Sequence, residues 1–218
     1  MHPLLPALKK GLDGLGLALS DEQQSQLLAY MDLIAKWTKV YNLTAVRDAQ
    51  EMLTHHLLDS LAAVAPLRRE LAGLALPAER ANYRLLDVGA GAGLPGVVIA
   101  ITCPDVSVDC VDTVAKKAAF VQQVAATLRL PNLKGLHARV ESLSQPYDVI
   151  CSRAFASLLD FTTWSHAALA PHGVWMAMKG KHPAQELAAL PQSTKVFHVE
   201  QLQVPGLDAD RCIVWLRG

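Results

Sequence analysis

The chain has no excess of either charge: Lys and Arg number 20, Asp and Glu also number 20, across 218 residues. A balanced chain exerts no global pull on nucleic acid, so any contact with RNA or DNA must come from a local patch. Cysteine is sparse, with Cys103, Cys110, Cys151 and Cys212 the whole complement. None stands in a CxxC pair, which argues against a zinc site. The four read as small core residues in a reducing compartment. Long apolar runs are lacking too. A membrane span needs about 20 apolar residues, and the uncharged stretch from Val88 to Pro104 is interrupted by Gly89, Gly91, Gly93, Pro95 and Gly96. The apolar residues after Met1 are broken by Pro3 and Pro6 and end at Lys9-Lys10, so no signal peptide is read and a cytoplasmic location is expected. No internal repeat is visible. Hydrophobic residues at 51% and charged residues at 18% exclude a disordered chain. The length is enough to bury a core without staples.

What is present changes character near residue 82. Residues 1–81 read as a helical extension and 82–218 as the main domain, the two forming one compact unit. Ser20-Asp21-Glu22-Gln23 fits a capping box, followed by Leu27, Tyr30, Met31, Ile34 and Trp37 at helical spacing. A second helix is expected from Asp48 to Ala65, stopping before Pro66, with Tyr41-Asn42-Leu43-Thr44 as the connector. Beyond residue 82, strands are expected at Tyr83–Val88, Val106–Val111, Leu133–His137, Tyr147–Cys151 and Val174–Met178. Helices are expected at Val114–Leu130 and Leu158–Leu169. Two closing runs, Lys195–Val204 and Arg211–Leu216, flank the turn residues Pro205-Gly206-Leu207-Asp208 and suggest a hairpin. The fold class is therefore α/β: a doubly wound, mostly parallel seven-stranded sheet with a terminal antiparallel hairpin.

The densest chemical signal runs from Asp87 to Gly96. A strand enters a glycine-rich turn and then a helix, with Pro95 suited to a first helical turn. Glycine serves where the backbone takes positive φ or must approach a ligand closely. Gly91-Ala92-Gly93-Leu94-Pro95-Gly96 matches the GxGxxG dinucleotide fingerprint. Asp87-x-Gly89-x-Gly91-x-Gly93 also matches the DxGxGxG loop of S-adenosylmethionine (SAM) methyltransferases. An acid at the strand end would repel a pyrophosphate and tolerate a cationic ligand, and the terminal hairpin suits the methyltransferase sheet. Both features favour SAM. Asp112, at the end of the second strand, can accept hydrogen bonds from both ribose hydroxyls of a nucleoside cofactor.

The segment after the fourth strand, Cys151-Ser152-Arg153-Ala154-Phe155-Ala156-Ser157, narrows the acceptor. It lacks the (D/N)PP(Y/F) motif for exocyclic amines, and Cys151 lacks the Pro-Cys context of pyrimidine C5 chemistry. Guanine N7 fits: it has a lone pair and no proton, so no general base is required. Oxygen acceptors remain open on this argument.

Tyr41-Asn42-Leu43-Thr44, His56 with Asp59-Ser60, the loop ending Gly-Leu-Pro-Gly, Arg139-Val140-Glu141 and Ser152 to Ser157 together resemble the bacterial 16S rRNA guanine-N7 methyltransferases, the glucose-inhibited division protein B family. The resemblance covers roughly residues 7 to 216. It implies transfer of methyl from SAM to a guanine in the decoding-region loop of 16S rRNA, position 527. It places Gly89 and Leu94, with Gly91 of the same loop, at the cofactor, Val140 and Glu141 beside the adenine, and Arg153 at the site mouth, where it too contacts the cofactor. It also suggests a basic RNA-binding surface near the cleft. Arg139 and Arg153 are taken as positioning residues at the methyl site. Asn42, Arg47, Lys116, Lys179 and Arg211 are candidate RNA contacts, among other basic residues. The partner is 16S rRNA, in the small subunit or an assembly intermediate, and nothing demands more than a monomer.

His55, His56 and Asp59 invite a metal reading, but no third ligand is evident and methyl transfer needs no metal. A pairing of His56 with Asp59 or Ser60 is expected instead. Two rivals remain: an NAD(P)-dependent oxidoreductase, motivated by GxGxxG, and a non-catalytic RNA-binding module on the same fold.

Overall fold

The computed structural model describes residues 2–41, 43–74, 76 and 79–218. Helices α1 (Leu5–Leu15), α2 (Asp21–Tyr41), α3 (Ala49–Met52), α4 (Asp59–Leu61) and α5 (Val64–Gly73) precede the sheet. Then follow β1 (Tyr83–Val88), α6 (Gly96–Thr102), β2 (Val106–Asp112), α7 (Ala115–Leu128), β3 (Leu133–His137), β4 (Tyr147–Arg153), α8 (Leu158–Ser165), β5 (Leu169–Lys179), α9 (Ala184–Ala188), β6 (Lys195–Leu202) and β7 (Arg211–Arg217). The seven strands lie in the order β3-β2-β1-β4-β5-β7-β6. The first five pair in parallel, and β7 runs antiparallel to both β5 and β6. The hairpin read from Pro205-Gly206 is present, with Gly206 at φ +77°.

Strand alternation builds two cores. Leu85, Val149, Val174 and Met176 face one side, with α1, α2, α6 and α7. Leu86, Ile150, Trp175 and Ala177 face the other, with α8. Because side chains alternate along a strand while both faces are covered, each central strand reads as a continuous apolar run.

The N-terminal helices belong to the first core. The Ser20–Gln23 capping box closes in both directions, at 3.1 and 3.0 Å. From α2, Gln23 Nε2 donates to the Ile101 carbonyl at 2.9 Å and Gln26 Nε2 to that of Leu128 at 3.0 Å. Trp37 packs edge-on against Phe120.

Three boundaries differ from expectation. Helix α1 has no counterpart in the sequence reading; it carries Pro6 in its first turn, where a proline has no intrahelical donor to lose. The helix expected over Asp48–Ala65 is not continuous: α3 passes into a π-helical stretch, Leu53–Leu58, then α4, and α5 starts afresh. Pro66 opens α5 instead of ending the helix before it. β5 begins at Leu169, five residues before the expected start, and α8 gives way to a 3-10 turn, His166–Ala168.

Candidate functional site: two clefts that meet at Gly89 and Ala154

The glycine loop is shaped from both sides by carboxylates. Gly89, Gly91 and Gly93 take φ of +67°, +59° and +86°. Asp112, 8% exposed at the end of β2, accepts from the Gly91 N–H at 3.1 Å and the Val114 N–H at 2.8 Å. Lys117 Nζ stands 3.6 Å from the same carboxylate. Asp87, fully buried at the end of β1, accepts from the Gly96 N–H at 2.8 Å. Asp87, which the sequence reading uses to favour a cationic ligand over a pyrophosphate, faces the first turn of α6, inside the fold. Burial, the largest effect, raises its pKa to about 7, while the Gly96 hydrogen bond and the Arg153 charge oppose the rise.

Two clefts open at the carboxyl ends of the parallel strands. The larger, about 610 Å³, lies between the loop, the segment around Thr44 and His56, and the ends of β4 and β5. The smaller, about 420 Å³, has Asp112, Val140, Glu141, Phe155 and Trp164 in its walls. Gly89 and Ala154 line both. Ala154 adopts φ +53°, a left-handed backbone unusual for alanine. A Cβ on Gly89 would overlap the Phe155 ring, so only glycine fits at this junction.

The two clefts together have room for an elongated ligand with a polar and an apolar end. A buried carboxylate faces a small cleft with aromatic and aliphatic walls. Bare loop backbone connects it to a larger cleft: a Cβ on Gly91 would meet no atom closer than 3.9 Å.

The sequence-predicted residues distribute as follows. Gly91 and the buried Leu94 line the larger cleft. Val140 is buried in the smaller one. Arg139 lies on its rim with its side chain 78% exposed, 3.4 Å from Glu141. Arg153 and Arg211 enter the larger cleft and converge on one acid: Arg153 Nη1 donates to Asp59 Oδ2 and Arg211 Nε to Asp59 Oδ1, both at 2.8 Å. Arg153 Nη1 also donates to the His55 carbonyl at 3.0 Å. Lys179 reaches the same cleft but is held by Glu186 at 2.8 Å and by the Ala156 carbonyl at 3.2 Å. Lys116 sits outside both clefts, its ammonium 5.0 Å above the Tyr41 ring. Arg47 is exposed on the segment before α3. Asn42 lies outside the described residues.

His56 does not pair with Asp59 or Ser60 as expected. Its Nε2 is 2.7 Å from Thr44 Oγ1, because both Asp59 oxygens are taken by guanidiniums. Burial, then the nearby Arg153 charge, lowers its pKa, so the ring is neutral at pH 7. Cys151 is fully buried, and burial pushes its thiol well above the ordinary range, which removes it as a nucleophile. Among the described residues, no group of three His, Cys, Asp or Glu could hold a metal ion, and no helix is long and apolar enough to cross a membrane.

Sequence reasoning missed two contributors. Trp164 borders the smaller cleft with its ring 5.9 Å from Phe155. Asp59 enters the sequence reading through the family resemblance and as a metal ligand or histidine partner, not as a partner of Arg153, because an acid 94 residues away leaves no local spacing signal.

Comparison with known proteins now decides the family. The family model described as rRNA small subunit methyltransferase G matches residues 23–214. The chain belongs to that family. It is 69% identical to the ribosomal RNA small subunit methyltransferase G of Albidiferax ferrireducens, over 100% of this chain and 98% of that protein. Among solved structures, TrmN from Thermus thermophilus superposes with TM-score 0.54 at 20% identity, covering 76% of this chain and 53% of the other. The N-methyltransferase NodS from Bradyrhizobium japonicum gives TM-score 0.53 at 14% identity, covering 74% and 96%. At these identities the structural likeness speaks for the fold alone, a doubly wound α/β sheet; SAM as the methyl donor comes with the methyltransferase family. The oxidoreductase and non-catalytic readings fall with the family assignment.

Proposed function

We propose that the chain transfers a methyl group from SAM to N7 of a guanine in the decoding-region loop of 16S rRNA, position 527. The observation that carries the reading is the meeting of the two clefts at Gly89 and Ala154, with an arginine pair in the wall of the larger one. SAM supplies an electrophilic methyl group, which a purine N7 lone pair accepts by in-line displacement with no proton to remove. On this reading Asp112 holds the ribose hydroxyls, Val140 and Glu141 border the adenine, and Gly89, Gly91 and Leu94 hold the remainder of the cofactor. Arg139 and Arg153 position the RNA. Lys116, Arg47, Arg211 and Lys179 extend the basic surface, with Lys179 the least available because Glu186 neutralises it. The residues act mainly by orientation and exclusion of water.

The substrate is 16S rRNA within the small subunit or an assembly intermediate, bound by a monomer in the cytoplasm. The test is incubation of the protein with methyl-labelled SAM and small subunits from a strain lacking the gene, followed by mapping of the label. Label at N7 of one guanine is expected. Label at an oxygen, or at an exocyclic amine, would overturn the acceptor assignment.

A further inference from the structure

Charge balance around the larger cleft singles out one cluster. Lys179 is matched one to one by Glu186. Asp59, in contrast, serves two cations, Arg153 and Arg211, and the three side chains together carry a net charge of about +1. The side chain of Asp59 is 4% exposed, that of Arg153 18% and that of Arg211 24%, so this charge sits in a partly desolvated wall. Neutral His56 beside it adds none.

The donors are not exhausted either. A guanidinium offers five N–H groups in a fixed fork. Arg153 commits Nη1 to Asp59 and the His55 carbonyl. Arg211 commits Nε to Asp59 and Nη1 to the Asp210 carbonyl at 2.8 Å. Among the described residues, nothing accepts from Nε or Nη2 of Arg153 or from Nη2 of Arg211. Surplus positive charge and spare donors, on side chains already locked in place, describe a site for an oxyanion.

We propose that Asp59 is a positioning residue that locks Arg153 and Arg211 into one oxyanion site in the wall of the larger cleft. The π-helical stretch Leu53–Leu58 leads directly into Asp59, whose N–H bonds back to the Thr54 carbonyl five residues earlier. That stretch sets both the carboxylate and the His55 carbonyl against Arg153. π-bulges occur frequently at functional sites. Two oxyanions share the required chemistry: a phosphodiester of the RNA nucleotide being methylated, and the carboxylate of the cofactor's methionine. The choice between them rests on the proposed rRNA methylation; the existence of the site does not.

The decisive variant is Asp59→Asn, because position and charge predict opposite signs. Removing an acid from a surface that meets RNA ordinarily tightens RNA binding. If Asp59 instead holds two arginines in place, its loss weakens oxyanion binding although the local charge has become more positive. Affinity for protein-free 16S rRNA as a function of salt, and calorimetric affinity for S-adenosylhomocysteine, form the two arms. For a phosphodiester, Asp59→Asn raises the RNA Kd and the KM for subunits about tenfold, and changes kcat less. Arg211→Ala then lowers the salt slope by about 0.7–0.9, the loss of one phosphate contact. For the methionine carboxylate, both variants weaken S-adenosylhomocysteine about tenfold and leave the RNA salt slope unmoved. RNA affinity unchanged or tightened, together with unchanged S-adenosylhomocysteine affinity, would overturn the proposal. Should Asp59→Asn lack a cooperative melt, Asp59→Glu keeps the charge and shifts only the carboxylate, so any affinity loss there reports position alone. Wild-type protein that labels no rRNA would instead count against the methylation reading, and the two binding arms would still judge the site.

Discussion

The Tyr30 hydroxyl donates a 2.6 Å hydrogen bond to the carbonyl of Ala92, joining α2 to the middle of the glycine loop. Tyr30 is fully buried, and its hydroxyl also stands 3.4 Å from where a Cβ on Gly93 would lie. The helical extension is thus a second scaffold for the loop, behind the sheet. Tyr30→Phe leaves the ring in place and strands the Ala92 carbonyl. Loss of a buried hydrogen bond of this kind costs about 1–2 kcal/mol. Part of that falls on loop order, so S-adenosylhomocysteine affinity is expected to drop about three- to tenfold. Calorimetric titration beside a thermal melt checks both numbers. Unchanged affinity would mean that the loop holds its shape without α2.

Two glycines of the same loop should fail for different reasons and by different amounts. Gly96 has ordinary helical surroundings, but a Cβ there would overlap Cys110 Sγ and lie 2.8 Å from Asp87 Oδ2. Both neighbours are buried and neither can retreat, so Gly96→Ala is expected to destabilise by about 3 kcal/mol, the upper range for overpacking. Gly91 has open space around its Cβ position and only its φ of +59° as an obstacle. Gly91→Ala should therefore cost about 1 kcal/mol in the melt. Denaturant curves for the two variants give the order directly, and a reversed order would contradict the packing described here.

Much of this architecture was legible in the chain, because its signals are local. Capping chemistry at Ser20 and Gln23, turn residues at Pro205-Gly206 and apolar runs such as Leu85-Leu86 each act within a few residues. The parallel pairing of the first five strands followed from the β-α alternation, whereas their order in the sheet had no such local signal. The walls of the clefts were legible where one element carries them, as in the loop from Gly89 to Leu94 and in Asp112. They were not legible where partners come from distant segments. Arg153 and Arg211 were read as independent basic residues, but a single carboxylate, Asp59, joins them across 94 and 152 residues. The same carboxylate diverted His56 to Thr44. The helix expected through Asp48–Ala65 also departs here: it carries a π-helical register over Leu53–Leu58, which no propensity encodes, and stops at Leu61.

Asp112 supports a prediction on cofactor binding. Its carboxylate holds the Gly91 and Val114 N–H groups and borders the smaller cleft. Asp112→Ala removes the acceptor of both backbone N–H groups and the proposed ribose acceptor. Asp112→Asn keeps one carbonyl oxygen. Affinity for S-adenosylhomocysteine should fall by about 100-fold in the first and about tenfold in the second, following roughly 1.4 kcal/mol per tenfold. Calorimetry distinguishes the two. Equal affinities in wild type and Asp112→Ala would remove this residue from the cofactor site.

Asp87 gives the fold a pH dependence of unusual sign. Its usual pKa is 3.8, and burial raises it to about 7 in the folded protein. Between those values the native state holds a proton that the unfolded chain has released. Stability rises with pH only where the unfolded state binds more protons, so here it must fall as pH rises from about 4 to about 7. The contribution is complete below the unfolded value and is lost as pH passes through the folded one. The shift corresponds to a loss on the order of 4 kcal/mol at 1.36 kcal/mol per pKa unit. Asp87→Asn retains an acceptor for the Gly96 N–H and cannot ionise. Its stability should therefore change less between pH 5 and pH 8 than that of the wild type, and the two should differ most at pH 8, where the variant is favoured. Denaturant unfolding of both proteins at the two pH values measures the difference. Parallel pH profiles would show that Asp87 is already ionised in the native fold, with the Gly96 hydrogen bond and the Arg153 charge outweighing its burial.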